Sequence, residues 1–240
     1  MYRKDSPATI QSMFNHIAKR YDLTNTVLSL SLHKYWNRAL IRHMRHSSSS
    51  PVLLDLCSGT GDIALDFLRR ASSPCQVYFI DFSPGMLEHA KRKANQLKTP
   101  FLHHLSYIEA DVQSLPLSDQ MAHCATMAYG IRNVQDPALC MREVARVLKP
   151  GGCFGILELT RPKARLLRWG HQFYLRTLLP FLGKWLTDNA EAYQYLCQSI
   201  QTFTAPDELQ KLLLTNGFQS TKIYPLAGGV ATIILGYKAI

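Results

Sequence analysis

The chain has 240 residues, 47% of them hydrophobic, enough for one full-sized core and too little for a second large domain. Lys and Arg number 27 against 17 Asp and Glu, a formal charge of +10. That balance favours an anionic partner such as a membrane surface, an acidic substrate or nucleic acid, although a basic solvated surface gives the same sum. No apolar signal core opens the chain and no apolar run is long enough to cross a bilayer, while Cys57, Cys75, Cys124, Cys140, Cys153 and Cys197 form no Cys-x-x-Cys pair, so buried free thiols in the cytoplasm are expected rather than disulfides or a metal site.

Residues 8–46 read as helical, with Ile10, Met13, Phe14, Ile17 and Ala18 recurring on one face. The segment 21–25 is expected to break that helix. A second amphipathic stretch carries Val27, Leu28, Leu32, Trp36, Leu40 and Ile41, and the serines 47–50 with Pro51 read as a linker. Strand and helix then alternate: strand 52–57, helix 62–71, strand 76–81, helix 84–97, strand 105–110, strand 123–129, helix 137–148 and strand 153–159. This rhythm predicts a parallel sheet with helices on both faces. Pro84 suits a first helical turn with Ser83 as its N-cap. Residues 149–152, Lys-Pro-Gly-Gly, are expected to end a helix and turn into the next strand.

Residues 161–187 depart from the pattern. Arg161, Lys163, Arg165, Arg168, Arg176 and Lys184 alternate with leucines and with Trp169, Phe173, Tyr174, Phe181 and Trp185. Helices follow near 188–202 and 206–216. Two final strands, near 219–225 and 230–238, read as a hairpin around Ala227, Gly228 and Gly229.

The glycine turn Asp55-Leu56-Cys57-Ser58-Gly59-Thr60-Gly61-Asp62 sits between the first strand and its helix. Gly59 and Gly61 admit backbone angles closed to other residues and let a ligand approach the main chain. About twenty residues on, Asp81 ends the second strand, where a carboxylate can accept both hydroxyls of a ribose. Asp111 ends the third strand, within reach of an adenine amino group. In an open parallel sheet these three strand ends face one ligand crevice. The dinucleotide fingerprint lacks its third glycine, and Asp62 would repel a phosphate at the helix start. An acid there suits a cationic nucleoside such as S-adenosylmethionine.

With Asp55, Gly59, Thr60, Gly61 and Asp81, the segment 146–152 resembles the class I S-adenosylmethionine-dependent methyltransferases. More narrowly, the chain is similar to the ubiquinone/menaquinone biosynthesis C-methyltransferases. The resemblance runs nearly end to end: Phe14-x-x-Ile17-Ala18-x-x-Tyr21-Asp22-x-x-Asn25, His33-x-x-Trp36, Gly130-Ile131-Arg132-Asn133-Val134, Tyr193-x-Tyr195-Leu196-x-x-Ser199-Ile200 and Gly228-Gly229-Val230-Ala231. It implies a doubly wound, mostly parallel seven-stranded α/β sheet with an N-terminal helical lid (1–50), a cofactor core (51–160) and substrate- or membrane-facing helices with a C-terminal antiparallel hairpin (161–240). It implies S-adenosyl-L-methionine as cofactor, with contacts at Thr60, Asp81, Asp111 and Val112. Ala128 stands where many relatives have serine, so a hydroxyl contact is lost there. The implied reaction is methylation of a demethylmenaquinol to menaquinol. Benzoquinol methylation, another small-molecule substrate and a non-catalytic membrane module are the alternatives.

A ring carbon becomes a good nucleophile once its neighbouring hydroxyl is ionised. Arg132 is expected to stabilise the oxyanion, its role as base being open, with Asn133 bonded to a quinol oxygen and Tyr129 stacked on the ring. His33 is a candidate base, although a lone histidine is more often structural. Ion pairs from Arg132 to Asp136 or Glu143, and from Glu158 to Arg161, are the bland alternatives. A polyprenyl quinol lies in the bilayer, so the stretch 161–187 suits peripheral contact with the inner face of the membrane. A core helix or a homodimer interface would carry the same pattern. The loop 128–131 lacks the motif of amino-group base methylation, so no nucleic-acid partner is expected.

Overall fold

The computed structural model describes residues 6–44, 48–178 and 190–240. Among them seven strands form one sheet: β1 (Val52–Leu56), β2 (Gln76–Asp81), β3 (His104–Glu109), β4 (Ala122–Ala128), β5 (Leu148–Leu159), β6 (Phe218–Leu226) and β7 (Ala231–Lys238). Their order is β3-β2-β1-β4-β5-β7-β6. The first five run parallel, and β7 lies antiparallel to both β5 and β6. This is the expected doubly wound sheet with its terminal hairpin, closed by a tight turn at Ala227–Gly229. Strand order reverses between β1 and β4, which places a crevice beyond their carboxyl ends.

The central strands are apolar throughout because helices cover both faces. On one face α4 (Asp62–Arg70) and α5 (Pro84–Asn95) bury Leu65, Leu68 and Ala90 against Leu53, Val77 and Phe79. On the other, α6 (Pro137–Val147) and α9 (Pro206–Thr215) bury Met141, Val144 and Leu213 against Leu54 and Ile80. Ser83 caps α5 as predicted, its Oγ accepting the Met86 N–H at 3.2 Å. None of the six cysteines forms a disulfide; Cys57 and Cys197 are half-buried and the others buried.

The N-terminal segment forms α1 (Pro7–Ile17), a tight turn (Ala18–Arg20), α2 (Tyr21–Leu28) and α3 (Leu32–His43). The predicted break at 21–25 is therefore misplaced, since those residues build α2. The chain turns instead at 18–20 and at Leu30 and Ser31, both left-handed with φ of 49° and 64°. Ser29 turns its hydroxyl back onto the Asn25 carbonyl at 2.6 Å, a bond that competes with helix continuation. Trp36 and Leu40 of α3 pack on Leu157 and Ile233, while Ile10 and Met13 of α1 pack on Tyr195.

The predicted turn at 149–152 is also corrected. Helix α6 ends at Val147 and β5 begins at Leu148. The ladder slips between Ala122 and Cys124 and Gly151 is left-handed at φ 73°, so the segment enters the sheet through a bulge. The basic aromatic stretch forms α7 (Arg165–Phe173) and a π-helical turn (Tyr174–Leu178) ahead of α8 (Ala190–Thr202). Phe181, Lys184 and Trp185 lie outside the described residues, as does Ser47. No described helix is long and apolar enough to cross a membrane.

Candidate active site

The turn after β1 is built from left-handed residues, with φ of 50° at Cys57, 54° at Gly59 and 81° at Gly61. A Cβ on Gly61 would meet the Phe79 ring at 2.8 Å, so only glycine lets α4 start this close to β2. Asp81 reaches back across the turn. Its Oδ2 accepts the Gly59 N–H at 2.8 Å and its Oδ1 the Ser83 N–H at 2.9 Å. Burial pushes its carboxyl up to about 6, against the pull of those backbone donors. Asp55 lies deeper, accepting the Thr126 hydroxyl at 2.7 Å and the Ala64 N–H at 3.2 Å. Burial pushes it up to about 7. Its bonds brace β1, β4 and α4 together.

Three cavities meet above this turn. A cleft of about 810 Å³ is lined by Gly59, Asp81, Asp111, Val112 and Asn133. A smaller one of about 420 Å³ is lined by His33, Asp55, Ser58, Thr60 and Asp62. The third, of about 1100 Å³, is mostly apolar, with Leu28, Trp36, Leu175 and Ile200 in its wall beside His33 and Arg132. Tyr21 and Tyr129 line all three, so the cavities converge between α2 and the end of β4.

Most of the residues singled out from sequence gather here. Gly61 lines none of the three cavities and serves the turn itself. Both oxygens of Asp111 bind Gln113, whose N–H lies 2.9 Å from Oδ1. Thr60 donates to Asp22 of α2, and Lys93 of α5 joins Asp22 at 2.6 Å to Asp62 at 2.5 Å. The N-terminal helices are thus pinned to α4 and α5 over the small cavity.

Tyr129 leaves β4 in a left-handed conformation, φ 58°. Its N–H donates to the Leu157 carbonyl at 2.7 Å and its hydroxyl to Asn37 Oδ1 at 3.1 Å. Gly130 follows against the turn, where a Cβ would meet Cys57 Cβ at 2.6 Å. The short helical turn Ile131–Asn133 then aims Arg132 inward. Its Nη1 donates to Glu158 Oε1 and to the Tyr129 carbonyl, each at 2.6 Å. The alternative ion pairs from Arg132 to Asp136 or Glu143 do not form, because Asp136 caps α6 and Glu143 pairs with Arg146. Glu158 accordingly meets Arg132 instead of Arg161, which donates to the Phe203 carbonyl. Asn133 Oδ1 accepts the Tyr195 hydroxyl at 2.9 Å. His33 Nδ1 lies 2.6 Å from Ser29 Oγ, and burial pushes the imidazole down.

Among the described residues two buried side-chain polar atoms have no partner, Ser58 Oγ and Arg132 Nε. Buried polar groups are ordinarily satisfied, and these two belong to residues lining the small and the apolar cavity. Ser58, Asn37 and Lys93 were not picked out from sequence; Ser58 had a visible signal, its place inside the glycine turn, whereas Asn37 and Lys93 are defined only by tertiary contacts.

A model of the ubiE/COQ5 methyltransferase family matches residues 2–238. A demethylmenaquinone methyltransferase of Protochlamydia amoebophila is 57% identical over 99% of this chain and 98% of its own. A ubiquinone/menaquinone biosynthesis C-methyltransferase of Francisella philomiragia is 33% identical over 95% of this chain and 90% of its own. A SAM-dependent methyltransferase from Thermotoga maritima shares the fold at 17% identity and a TM-score of 0.64, covering 95% of this chain and 98% of that one. With a family model spanning nearly every residue and full-length relatives well above 30% identity, the chain belongs to the ubiE/COQ5 methyltransferase family.

Proposed function

We propose that this methyltransferase uses S-adenosylmethionine to methylate a ring carbon of a demethylmenaquinol. The observation that carries the reading is Arg132. It is a buried guanidinium with an unpartnered Nε–H, in the wall of an apolar cavity that meets the cleft of Asp81 at Tyr129. An apolar cavity with one aimed cation suits a greasy molecule that develops negative charge on oxygen.

The cleft residues fit the donor. Asp81 retains acceptor capacity for a ribose diol beyond the two N–H bonds it makes, Asp111 and Val112 line the adenine side, and the turn residues Ser58 and Thr60 line the small cavity that suits the amino-acid end. The donor supplies an electrophilic methyl carbon on a sulfonium that departs as a neutral thioether. The residues of this chain hold the ring near that carbon and stabilise charge on its oxygen. The Arg132 guanidinium, in the cavity wall, stabilises the phenolate. Asn133, its Oδ1 taken by Tyr195, offers its amide N–H groups to a quinol oxygen. Tyr129 walls the meeting point of ring and donor.

The prenyl tail has a route as well. Leu167, His171 and Tyr174 of α7 and its following turn line the apolar cavity. The outward side of α7 leaves Leu166 81% and Trp169 69% exposed, beside Arg165 and Arg168. That combination suits docking at an anionic bilayer, with the tail entering past α7.

The test is to incubate the protein with labelled methyl donor and, separately, a reduced demethylnaphthoquinone and a reduced demethylbenzoquinone. Label on a ring carbon of the naphthoquinol supports the reading. Label on the benzoquinol alone moves it to ubiquinone biosynthesis, and label on neither rejects it. Arg132→Ala is expected to lose turnover by roughly a hundredfold or more while donor affinity holds.

A further inference from the structure

Arg132 keeps its proton at any physiological pH, so it stabilises a phenolate without generating one. A phenolic hydroxyl ionises only near pH ~10, and another group must take the quinol proton. The remaining titratable groups lining the apolar cavity, among the described residues, are Tyr21, Tyr129, Tyr174, His33 and His171. Burial pushes the three phenols up, so they hold their protons. Of the two imidazoles, His171 lines the apolar cavity alone, whereas His33 also lines the small cavity beside the glycine turn.

Ser29 decides which nitrogen of His33 carries hydrogen. Its Oγ donates to the Asn25 carbonyl at 2.6 Å. A hydroxyl has a single proton, so toward His33 Nδ1, also 2.6 Å away, the same oxygen can only accept. Nδ1 therefore bears the hydrogen. A neutral imidazole has one N–H, which leaves a lone pair on Nε2. Nε2 has no hydrogen-bond partner among the described residues and is not among the buried polar atoms sealed from solvent.

We propose that His33 Nε2 is the base that takes the quinol hydroxyl proton, and that Ser29 is the positioning residue that holds the Nδ1–H tautomer. The inference rests on the quinol reading above. The O–H bond breaks with its electron pair left on oxygen, facing Arg132, and an N–H bond forms on Nε2. As the ring carbon bonds to the methyl carbon, the C–S bond breaks with its electron pair left on sulfur; the ring carbon then loses its own hydrogen as a proton and the oxygen regains one. The imidazolium passes its proton to water. Each turnover thus turns a cationic donor and a neutral quinol into two neutral products and one released proton. Asp62 and Asp22 favour the imidazolium, and Lys34 and Lys93 oppose it. Burial outweighs them and lowers His33 below its ordinary value, so the base is free at neutral pH.

Two measurements test this. Long-range 15N–1H NMR on the full chain, with His33 assigned by its loss in His33→Gln, is expected to show the Nδ1–H tautomer. Ser29→Ala is expected to mix the tautomers. An Nε2–H tautomer in the unmodified chain overturns the proposal. In turnover with a short-chain reduced demethylnaphthoquinone, H33Q is expected to lose about a hundredfold or more in kcat, a typical general-base contribution. Donor Kd should change little, and the acid limb of the pH profile should vanish. H33Q turnover close to the unmodified level, or an acid limb that persists in kcat at saturating donor, where the titration of Asp81 does not limit binding, defeats the base assignment alone. Should H33Q fail to melt cooperatively, Ser29→Ala decides: a drop of about tenfold with a displaced acid limb supports the relay, and an unchanged profile overturns it. An unmodified chain that leaves the quinol unmethylated fails at the earlier step, the choice of substrate.

Discussion

The Arg132 guanidinium and the Glu158 carboxylate meet at 2.6 Å, both buried, at the wall of the apolar cavity. Glu158 also accepts the Leu159 N–H at 2.8 Å, so the carboxylate is fixed by its own strand before it fixes Arg132. Burial pushes Glu158 up and the neighbouring guanidinium opposes that shift. The pair anchors Nη1 of Arg132 in the protein, on Glu158 and the Tyr129 carbonyl, with the residue in the cavity wall.

Removing one partner of such a pair strands a buried charge. Glu158→Gln is expected to cost about 3 kcal/mol of unfolding free energy, seen as a lower urea midpoint. Turnover should fall further than stability alone accounts for, because Arg132 loses its anchor. A urea midpoint equal to that of the unmodified chain would show that the pair is not formed in solution.

Asp81 is half-neutral near pH 6, because burial raises its carboxyl to about 6. A carboxyl accepts both hydroxyls of a ribose only when ionised. The sign follows: a raised carboxyl loses its charge as pH falls through 6, so donor binding weakens on the acid side. Calorimetry at about pH 5 and about pH 8 should differ roughly tenfold in Kd, the acid sample being weaker. Asp81→Ala should weaken binding by about tenfold, or ~1.4 kcal/mol, and remove that pH dependence. Equal affinity at both pH values would mean that Asp81 makes no contact with the donor.

Gly130 lies against the glycine turn, where an added Cβ would sit 2.6 Å from Cys57 Cβ and 2.9 Å from its Sγ. Gly130→Ala is expected to destabilise by about 1–3 kcal/mol through overpacking. Adding Cys57→Gly removes both clashing atoms and relieves a left-handed non-glycine residue, so the double variant should recover part of the loss. Losses that simply add in thermal melts would place the clash elsewhere.

The exposed side of α7 gives a separate test. Replacing Leu166, Trp169 and Phe173 by serine should lower partitioning into anionic vesicles by at least about tenfold, since each apolar side chain is worth roughly 1.5–3 kcal/mol when buried. Turnover of a short-chain quinol in solution should be preserved. Unchanged vesicle binding would assign membrane contact to another surface.

The order of elements was legible in the sequence because local chemistry sets it. Apolar runs of five to seven residues, as in β1 and β4, bounded by glycine turns can bury two faces only in a parallel sheet. Ser83, Pro84 and Gly61 punctuate helices by backbone geometry alone. The glycine turn 57–61 and the carboxylates Asp81 and Asp111 were placed by the same logic, because topology fixes where a strand end must lie. The break at 21–25 and the turn at 149–152 were misread for different reasons. The helix ends a few residues later than expected, where the Ser29 hydroxyl bonds back to the Asn25 carbonyl, a local contact with no distinct sequence signature, whereas the bulge at 149–152 depends on the opposed strand at Ala122 and Cys124.

The partners of the charged site residues were decided only by tertiary structure. Nothing local to Arg132 names Glu158, 26 residues away, over the nearer Asp136 and Glu143, and nothing local to Thr60 names Asp22. Coulomb pairing is set by distance and burial, and both arise when β4 and β5 lie side by side and α2 folds over the turn. The sequence carried the sheet, the nucleoside crevice and the candidate residues. Packing settled which charge is held, which nitrogen is left free, and where an apolar cavity opens beside them.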